Sequence, residues 1–285
     1  KNDEELLGQI RRLLTFLPSN CREKPPTMDQ GDDPERSCEA LHDLVPINPA
    51  KPYDVRQLIE VIVDKGDFFE IKKDFAGEVV VGFARLDGRT TGIVANQSRV
   101  KAGCLTVDSS DKQARFIRFC DCFNIPILIL VDTPAYMPGK DQEHAGIIRH
   151  GAKVLYALCE ARVPRISLVL RKSYGGGNLG MGVLPGLGTD LVLYWPTMET
   201  GILGAEQSVT LFYGRQEGVT KEFLAQKIEE YRDTQANPLI DVSTNMNVHD
   251  IVTPAETRSY LIKAFKMLEG KTVERPYKPH GNIPL

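Results

Sequence analysis

Little in this sequence speaks for a metal, a membrane or a nucleic acid. Its six cysteines stand at positions 21, 38, 104, 120, 122 and 159, none in a C-x-x-C pair, and no histidine lies at zinc-finger spacing from them. The histidines at 42, 144, 150, 249 and 280 are scattered, and His144 and His150 are too far apart in one segment to make a good ligand pair. No metal site is expected. Cys120 and Cys122 fall on different faces of a predicted helix, so the cysteines read as reduced cytosolic thiols. The longest central aliphatic run, Ile125 to Val131, is far short of the roughly 20 residues that span a bilayer. No signal peptide is visible at the start. The chain opens with Lys1, as a fragment or a processed piece would. A net charge of -3 gives no pull toward nucleic acid or an anionic membrane. There is no internal repeat and no low-complexity tract.

What is present is an ordinary globular composition, 42% hydrophobic and 26% charged, long enough for one large domain or two small ones. Residues 3–17 carry apolar side chains at helical spacing, with Asp3, Glu4 and Glu5 suited to the helix N-terminus. A Pro-, Asp- and Ser-rich stretch follows and reads as a linker or surface arm. Residues 54–63 read as a short helix. Residues 78–86 and 89–96 are two β-rich runs joined by Asp87-Gly88, a strong hairpin signal. Next come a helix over 108–123, a strand over 126–132, a helix over 143–161, a strand over 165–170, a glycine-rich turn and a strand over 191–195. Two more helices are expected at 220–232 and 255–269. This order argues α/β with a mixed or parallel sheet.

The stretch Arg171-Lys172-Ser173-Tyr174-Gly175-Gly176-Gly177-Asn178-Leu179-Gly180 contains G-x-G-x-x-G. A dinucleotide loop needs a strand running straight into the first glycine, a helix leaving the loop, and an acidic residue ending the next strand. Four residues separate the aliphatic run from Gly175. Residues 181–189 hold three glycines and a proline, which disfavours a long helix. Asp190 starts the next strand instead of ending it. A P-loop fails as well, because no Gly-Lys-Ser/Thr follows. The glycines either let backbones pack closely or present consecutive amides, at Gly176 and Gly177, at the start of a short helix. Such amides can hold an oxyanion. A second rigid turn, Asp132 to Gly139, ends the neighbouring strand, at the end of the sheet where α/β sites gather.

The segment VDTPAYMPGKDQEHAGIIRHGAKVLYALCEARVPRISLVLRKSYGGGNLGM resembles the central part of biotin-dependent acyl-CoA carboxyltransferases. This is the family of the propionyl-CoA carboxylase β-chain, methylcrotonyl-CoA carboxylase, transcarboxylase and methylmalonyl-CoA decarboxylase. LLTFLPSNCREKPP, LVPINPAKPYDVRQLIEVIVDKGDFFEI, VVVGFARLDGRTTGIVANQS, DKQARFIRFCDCFNIPILILVD and VHDIVTPAETRSYLIKAFKMLEGK resemble it too, in the same order. The resemblance covers essentially the whole chain. It implies an α/β fold of the crotonase-type β-β-α superhelix, and it is to the C-terminal half of the family's carboxyltransferase alone. Residues 1–45 are then an N-terminal helix and inter-domain linker, and 46–285 the carboxybiotin-side domain.

The implied reaction is carboxyl transfer between carboxybiotin on a carrier protein and the α-carbon, or a vinylogous carbon, of an acyl-CoA. Carboxybiotin leaves a ureido oxyanion that removes the acyl-CoA α-proton, and the resulting enolate takes up CO2. The protein's share is positioning, dry walls and oxyanion holes. In the family, consecutive amides of R-K-x-Y-G-G-A hold the ureido oxygen, and they fall on Gly176 and Gly177. The implied biotin-pocket residues are Pro134, Ala135, Tyr136, Tyr174 and Gly175, with Asn178 and Leu179 toward the acyl group. The implied partners are an N-terminal-type half, a biotin carboxyl carrier protein and a biotin carboxylase, in a large homo- or hetero-oligomer. The setting is the cytoplasm, or the mitochondrial matrix of a eukaryote.

Three departures stand out. Gly177 replaces the usual Ala. Asn178 and Leu179 replace a Tyr and, often, an Asp, which leaves the acyl group open. Pro134-Ala135-Tyr136 replaces Pro-Gly-Phe, and Ala135 is strained if that position needs positive φ. Rival readings are a decarboxylase subunit running the transfer in reverse and a non-catalytic scaffold that kept the fold. Among other candidates, Arg171 and Lys172 read better as solvated or salt-bridged groups than as anion binders. Glu143 and His144 read as residues of a helix start, and Trp195 as core or interface.

Overall fold

The computed structural model describes residues 2–216 and 218–284; Lys1, Glu217 and Leu285 lie outside the described residues. In chain order the elements are α1 (Asp3–Leu14), α2 (Leu41–Leu44), α3 (Val55–Ile62), β1 (Phe69–Ile71), β2 (Val79–Leu86), β3 (Arg89–Asn96), α4 (Val107–Cys122) and β4 (Ile127–Thr133). Then follow α5 (Lys140–His144), α6 (Ile147–Glu160), β5 (Arg165–Tyr174), α7 (Gly175–Gly180), β6 (Leu191–Tyr194), β7 (Glu199–Gly201) and α8 (Ala205–Tyr213). The last are α9 (Lys221–Gln235), α10 (Pro238–Thr244), β8 (Asp250–Ile251) and α11 (Thr257–Met267).

One mixed sheet runs β1-β2-β3-β4-β5-β6-β8, with β7 added beside β5. The first three strands are antiparallel and the rest parallel. The β2–β3 turn forms because Asp87 and Gly88 both take positive φ, 52° and 72°, which a tight two-residue turn requires. The Asp64 carboxylate accepts from both turn amides, at 3.1 Å and 2.7 Å. Parallel strands sit under helices on both sides, and so β4 reads as a continuous apolar run. Its side chains alternate between two cores: Ile127, Ile129 and Val131 belong to one, Leu128 and Leu130 to the other. Each buried Leu or Ile contributes about 1.5–3 kcal/mol.

The first core lies under α4 and α6, with Phe116, Ile117, Val154 and Leu158 turned inward. α4 begins where the Thr106 hydroxyl and Ser109 cap each other reciprocally. Cys120 on it is buried and Cys122 exposed, as their spacing predicts. The second core lies under α3 and α11. α3 buries Val55, Leu58, Ile59 and Ile62, one stripe at helical spacing, and Asp54 caps it by accepting from the Arg56 amide at 3.1 Å. The first 45 residues are laid along the same body. Phe16 is fully buried against Phe69 and Phe83, and the Met28 amide donates to the Gly88 carbonyl at 2.8 Å.

Three sequence expectations change. The helix expected over 143–161 is two, because Gly146 at φ 86° breaks it and restarts α6. The strand expected to end at residue 170 continues through Tyr174, so the glycines follow it directly. Between residues 195 and 220, β7 and α8 fill a stretch the sequence leaves without an element.

Candidate functional site

β3, β4 and β5 run parallel, so their C-terminal ends share one edge of the sheet. At that edge β5 leads straight into α7. Gly175 takes φ +49°, and a Cβ there would stand 2.9 Å from the Ile202 carbonyl oxygen, so only glycine makes this strand-to-helix corner. A helix leaves its first amides without intrahelical partners. Among the described residues, no protein acceptor meets the amide of Gly176 or of Gly177. Gly176 is exposed and Gly177 buried, so one amide lies at the surface and the next just inside it.

The turn after β4 is in contact with this helix. A Cβ on Gly177 would meet Thr133 Cγ2 at 3.1 Å and the Ala135 backbone at 3.3 Å. The Tyr136 ring lies beneath α7: a Cβ on Gly176 would meet its Cδ2 at 3.3 Å, and one on Gly180 its hydroxyl at 2.5 Å. The same ring packs on Gly151 of α6. Three glycines on two helices thus open the slot that holds one aromatic ring. Burial pushes the Tyr136 hydroxyl up to about 12, and it has no hydrogen-bond partner among the described residues. The Leu105 amide donates to the Ala135 carbonyl at 3.0 Å, and the Met137 amide to the Leu105 carbonyl at 2.7 Å, which pins the turn to the segment before α4.

Under the edge lies a buried charge cluster. Asp132, 0% exposed, takes Arg171 Nη2 at 2.8 Å and Nε at 3.1 Å. Its other oxygen accepts from the Lys172 amide at 3.2 Å and faces Lys172 Nζ at 3.4 Å. Arg171 also donates to the carbonyls of Pro46, Asn48 and Lys51, and Lys172 Nζ to that of Pro49. Arg171 and Lys172 are therefore salt-bridged anchors that tie the 46–51 loop to the base of α7, with every charge answered.

The structure brings Ala135 against Gly177 and Tyr136 against Gly176, and Pro134 lies in the same turn between Thr133 and Ala135. Ala135 is not among the described residues with positive φ, so the strain expected at that position is absent. Tyr174 turns the other way: it is buried, packs near Gly204, and donates to Glu199 Oε2 at 2.7 Å. Asn178 Nδ2 reaches Thr200 Oγ1 at 3.5 Å, and Leu179 is 40% exposed beside it. Glu143 and His144 are exposed on α5. Trp195 is buried and donates to Thr257 Oγ1 at 2.9 Å, a core role. The sequence reading missed residues 199–203. They form β7 and the strip beside Gly175, and Ile202 there is 86% exposed. The only signal was the pair of glycines, Gly201 and Gly204, around it.

The edge offers two free amides on a rigid helix start, a wall of apolar and aromatic groups, and no charge pointing outward from the cluster below. It can hold a developing oxyanion in a partly dry setting, and it lacks an assembled nucleophile–base pair.

The family model described as the carboxyl transferase domain matches residues 1–283. The chain is 47% identical over 286 residues to the propionyl-CoA carboxylase carboxyltransferase subunit of Haloferax mediterranei, covering 99% of this chain and 55% of that one. It is 44% identical to the methylmalonyl-CoA decarboxylase subunit alpha of Propionigenium modestum, again over 55% of that protein. Among solved structures it superposes on a chain of the transcarboxylase 12S crystal structure with a TM-score of 0.92 at 44% identity, covering 97% of this chain and 53% of that one. The chain spans about half the length of the curated relatives it matches. Its α/β fold with a mixed sheet is of the crotonase type. The chain belongs to the carboxyl transferase domain family.

Proposed function

We propose that this chain is the carboxybiotin-side half of a biotin-dependent acyl-CoA carboxyltransferase. The observation that carries the reading is the pair of consecutive, acceptor-free amides at Gly176 and Gly177. Residues 1–45 are then the arm that leads in from a complementary N-terminal-type half, and 46–285 the domain itself.

Carboxybiotin, when bound, supplies the carboxyl group and a ureido oxygen that becomes anionic as that group leaves. The chain's own residues do the rest. The Gly176 and Gly177 amides donate to that oxygen, an electrostatic contribution of about 3–4 kcal/mol per donor in comparable sites. Pro134, Ala135 and Tyr136 form the wall that orients the ring and excludes water. Gly175 sets the corner that aims the amides. The Asp132–Arg171–Lys172 cluster holds β4 and β5 in register at that corner, with both cations sharing one carboxylate and donating to the carbonyls of the 46–51 loop. Tyr174 fixes the far side of α7 through Glu199. Asn178 and Leu179 face the acyl group, and Leu179 gives it an apolar neighbour. The acyl-CoA is held largely by the other half, and the two halves work with a biotin carboxyl carrier protein and a biotin carboxylase in a large cytoplasmic oligomer. The decarboxylase relative favours one further point: the same site serves either direction, and the partners set which.

The test is to purify the chain with its complementary half and measure native mass and carboxyl transfer between biotin and propionyl- or methylmalonyl-CoA on the same peak. A hetero-oligomer that transfers carboxyl is the expected result. A well-folded assembly that transfers nothing leaves a scaffold and overturns the reading. Assays across acyl lengths test the role of Leu179, and an unaltered short-chain preference in Leu179→Asp would remove it.

A further inference from the structure

The opposite edge of the sheet, where β3, β4 and β5 begin, holds a cavity of about 620 Å3. That is the size of a small-organic-molecule site. It lies between residues 21–27, the strand starts, the end of α11 and residues 271–273. Its floor is apolar, made by Leu86, Pro126, Pro164, Ile262 and Phe265. Its rim is cationic, with Arg22, Lys24, Arg89, Arg162 and Lys271 against the carboxylates of Asp121 and Glu269.

Those charges are not all answered. Arg89 pairs with Glu269 at 2.9 Å and Lys271 with Asp190 at 2.8 Å. Asp121 is engaged by the amides of Arg162 and Val163, at 2.6 Å and 3.3 Å. Among the described residues, no carboxylate pairs with the guanidinium of Arg22 or Arg162. Helix dipoles account for part of the excess. α4, α6 and α11 all end at this edge, each bringing about half a negative charge. With Asp190 on Lys271 counted beside Asp121 and Glu269, they leave a surplus of about half a positive charge, and the rim guanidiniums without a carboxylate among the described residues are those of Arg22 and Arg162.

We propose that this cavity binds a small organic anion with an apolar body, its carboxylate or phosphate head at Arg22 and Arg162 and its hydrocarbon body over Ile262 and Phe265. The site is at the opposite edge of the sheet from α7 and is independent of the carboxyl-transfer reading.

Octanoate and hexyl phosphate, titrated separately into the native assembly by calorimetry, test it. Saturable binding of either probe is expected, and the tighter one identifies the head group. The double variant Arg22→Glu/Arg162→Glu, both exposed positions, should weaken binding by about tenfold or more. Val273→Trp, which narrows the mouth, should weaken it as well. Unchanged affinity in both variants, or no saturable binding of either probe by wild type, overturns the proposal.

Discussion

The two edges of the sheet use charge in opposite ways. At the strand ends, Asp132, Arg171 and Lys172 sit in the interior and answer one another, and the groups left free are neutral amides. At the strand starts the pairs are shared with solvent, Arg89–Glu269 among them, and cations outnumber carboxylates around an open cavity. A buried cluster cannot adjust when one member is lost, whereas a wet one is screened. The first arrangement suits a site that must stabilise charge only as it develops. The second suits capture of a charge already present.

The largest break in this contrast should come from Asp132→Ala. It leaves Arg171, 1% exposed, without its counter-ion, at an expected cost of about 3–5 kcal/mol in urea unfolding. A cost below 1 kcal/mol would mean the cluster is wetter than its burial indicates. Next comes the arm at the strand-start edge. Hydrogen bonds from Arg36 hold the Asp32 carboxyl down at about 2 against 3.8 normally, helped by the Lys65 amide and Arg258 and opposed by burial. A depressed carboxyl stabilises the fold above its unfolded pKa. That stability, about 2 kcal/mol, is lost as pH falls from about 4 toward about 2. Asp32→Asn should flatten this part of the pH–stability curve.

Tyr136→Phe should act in the other direction, by a smaller amount. The hydroxyl is buried without a partner among the described residues, so its removal should raise stability by about 1 kcal/mol in the same unfolding assay. A loss instead would show that the hydroxyl has a partner in solution. The smallest effect is expected of Glu269→Gln. Both members of its pair are at least a third exposed, and thermal unfolding should move by no more than about 0.5 kcal/mol of stability.

Much of this contrast is legible in the sequence, for identifiable reasons. The hairpin at Asp87-Gly88, the alternating apolar run of β4 and the stripe of α3 each follow from a single local rule, and all three are present. The contact of Ala135 and Tyr136 with the glycine helix agrees with grouping both turns at one end of neighbouring strands. What local patterns could not convey was set by tertiary contacts. β5 continues through residues 171–174 because Asp132 and the carbonyls of residues 46–51 give Arg171 and Lys172 partners inside the protein. Residues 199–201 become a strand only because β5 extends far enough to pair with them. The cavity at the strand starts is assembled from segments more than 200 residues apart in the chain, such as Cys21 and Val273, and no spacing rule links them.

The central claim is that the Gly176 and Gly177 amides hold the transferring group's oxyanion. Gly176→Pro tests it most directly, because proline removes one amide while its φ suits the first turn of a helix. Carboxyl transfer by the assembled enzyme should fall about 10²–10³-fold in kcat, with the unfolding midpoint close to that of wild type and transfer by Arg22→Glu/Arg162→Glu retained. Full transfer by a folded Gly176→Pro enzyme would contradict the account.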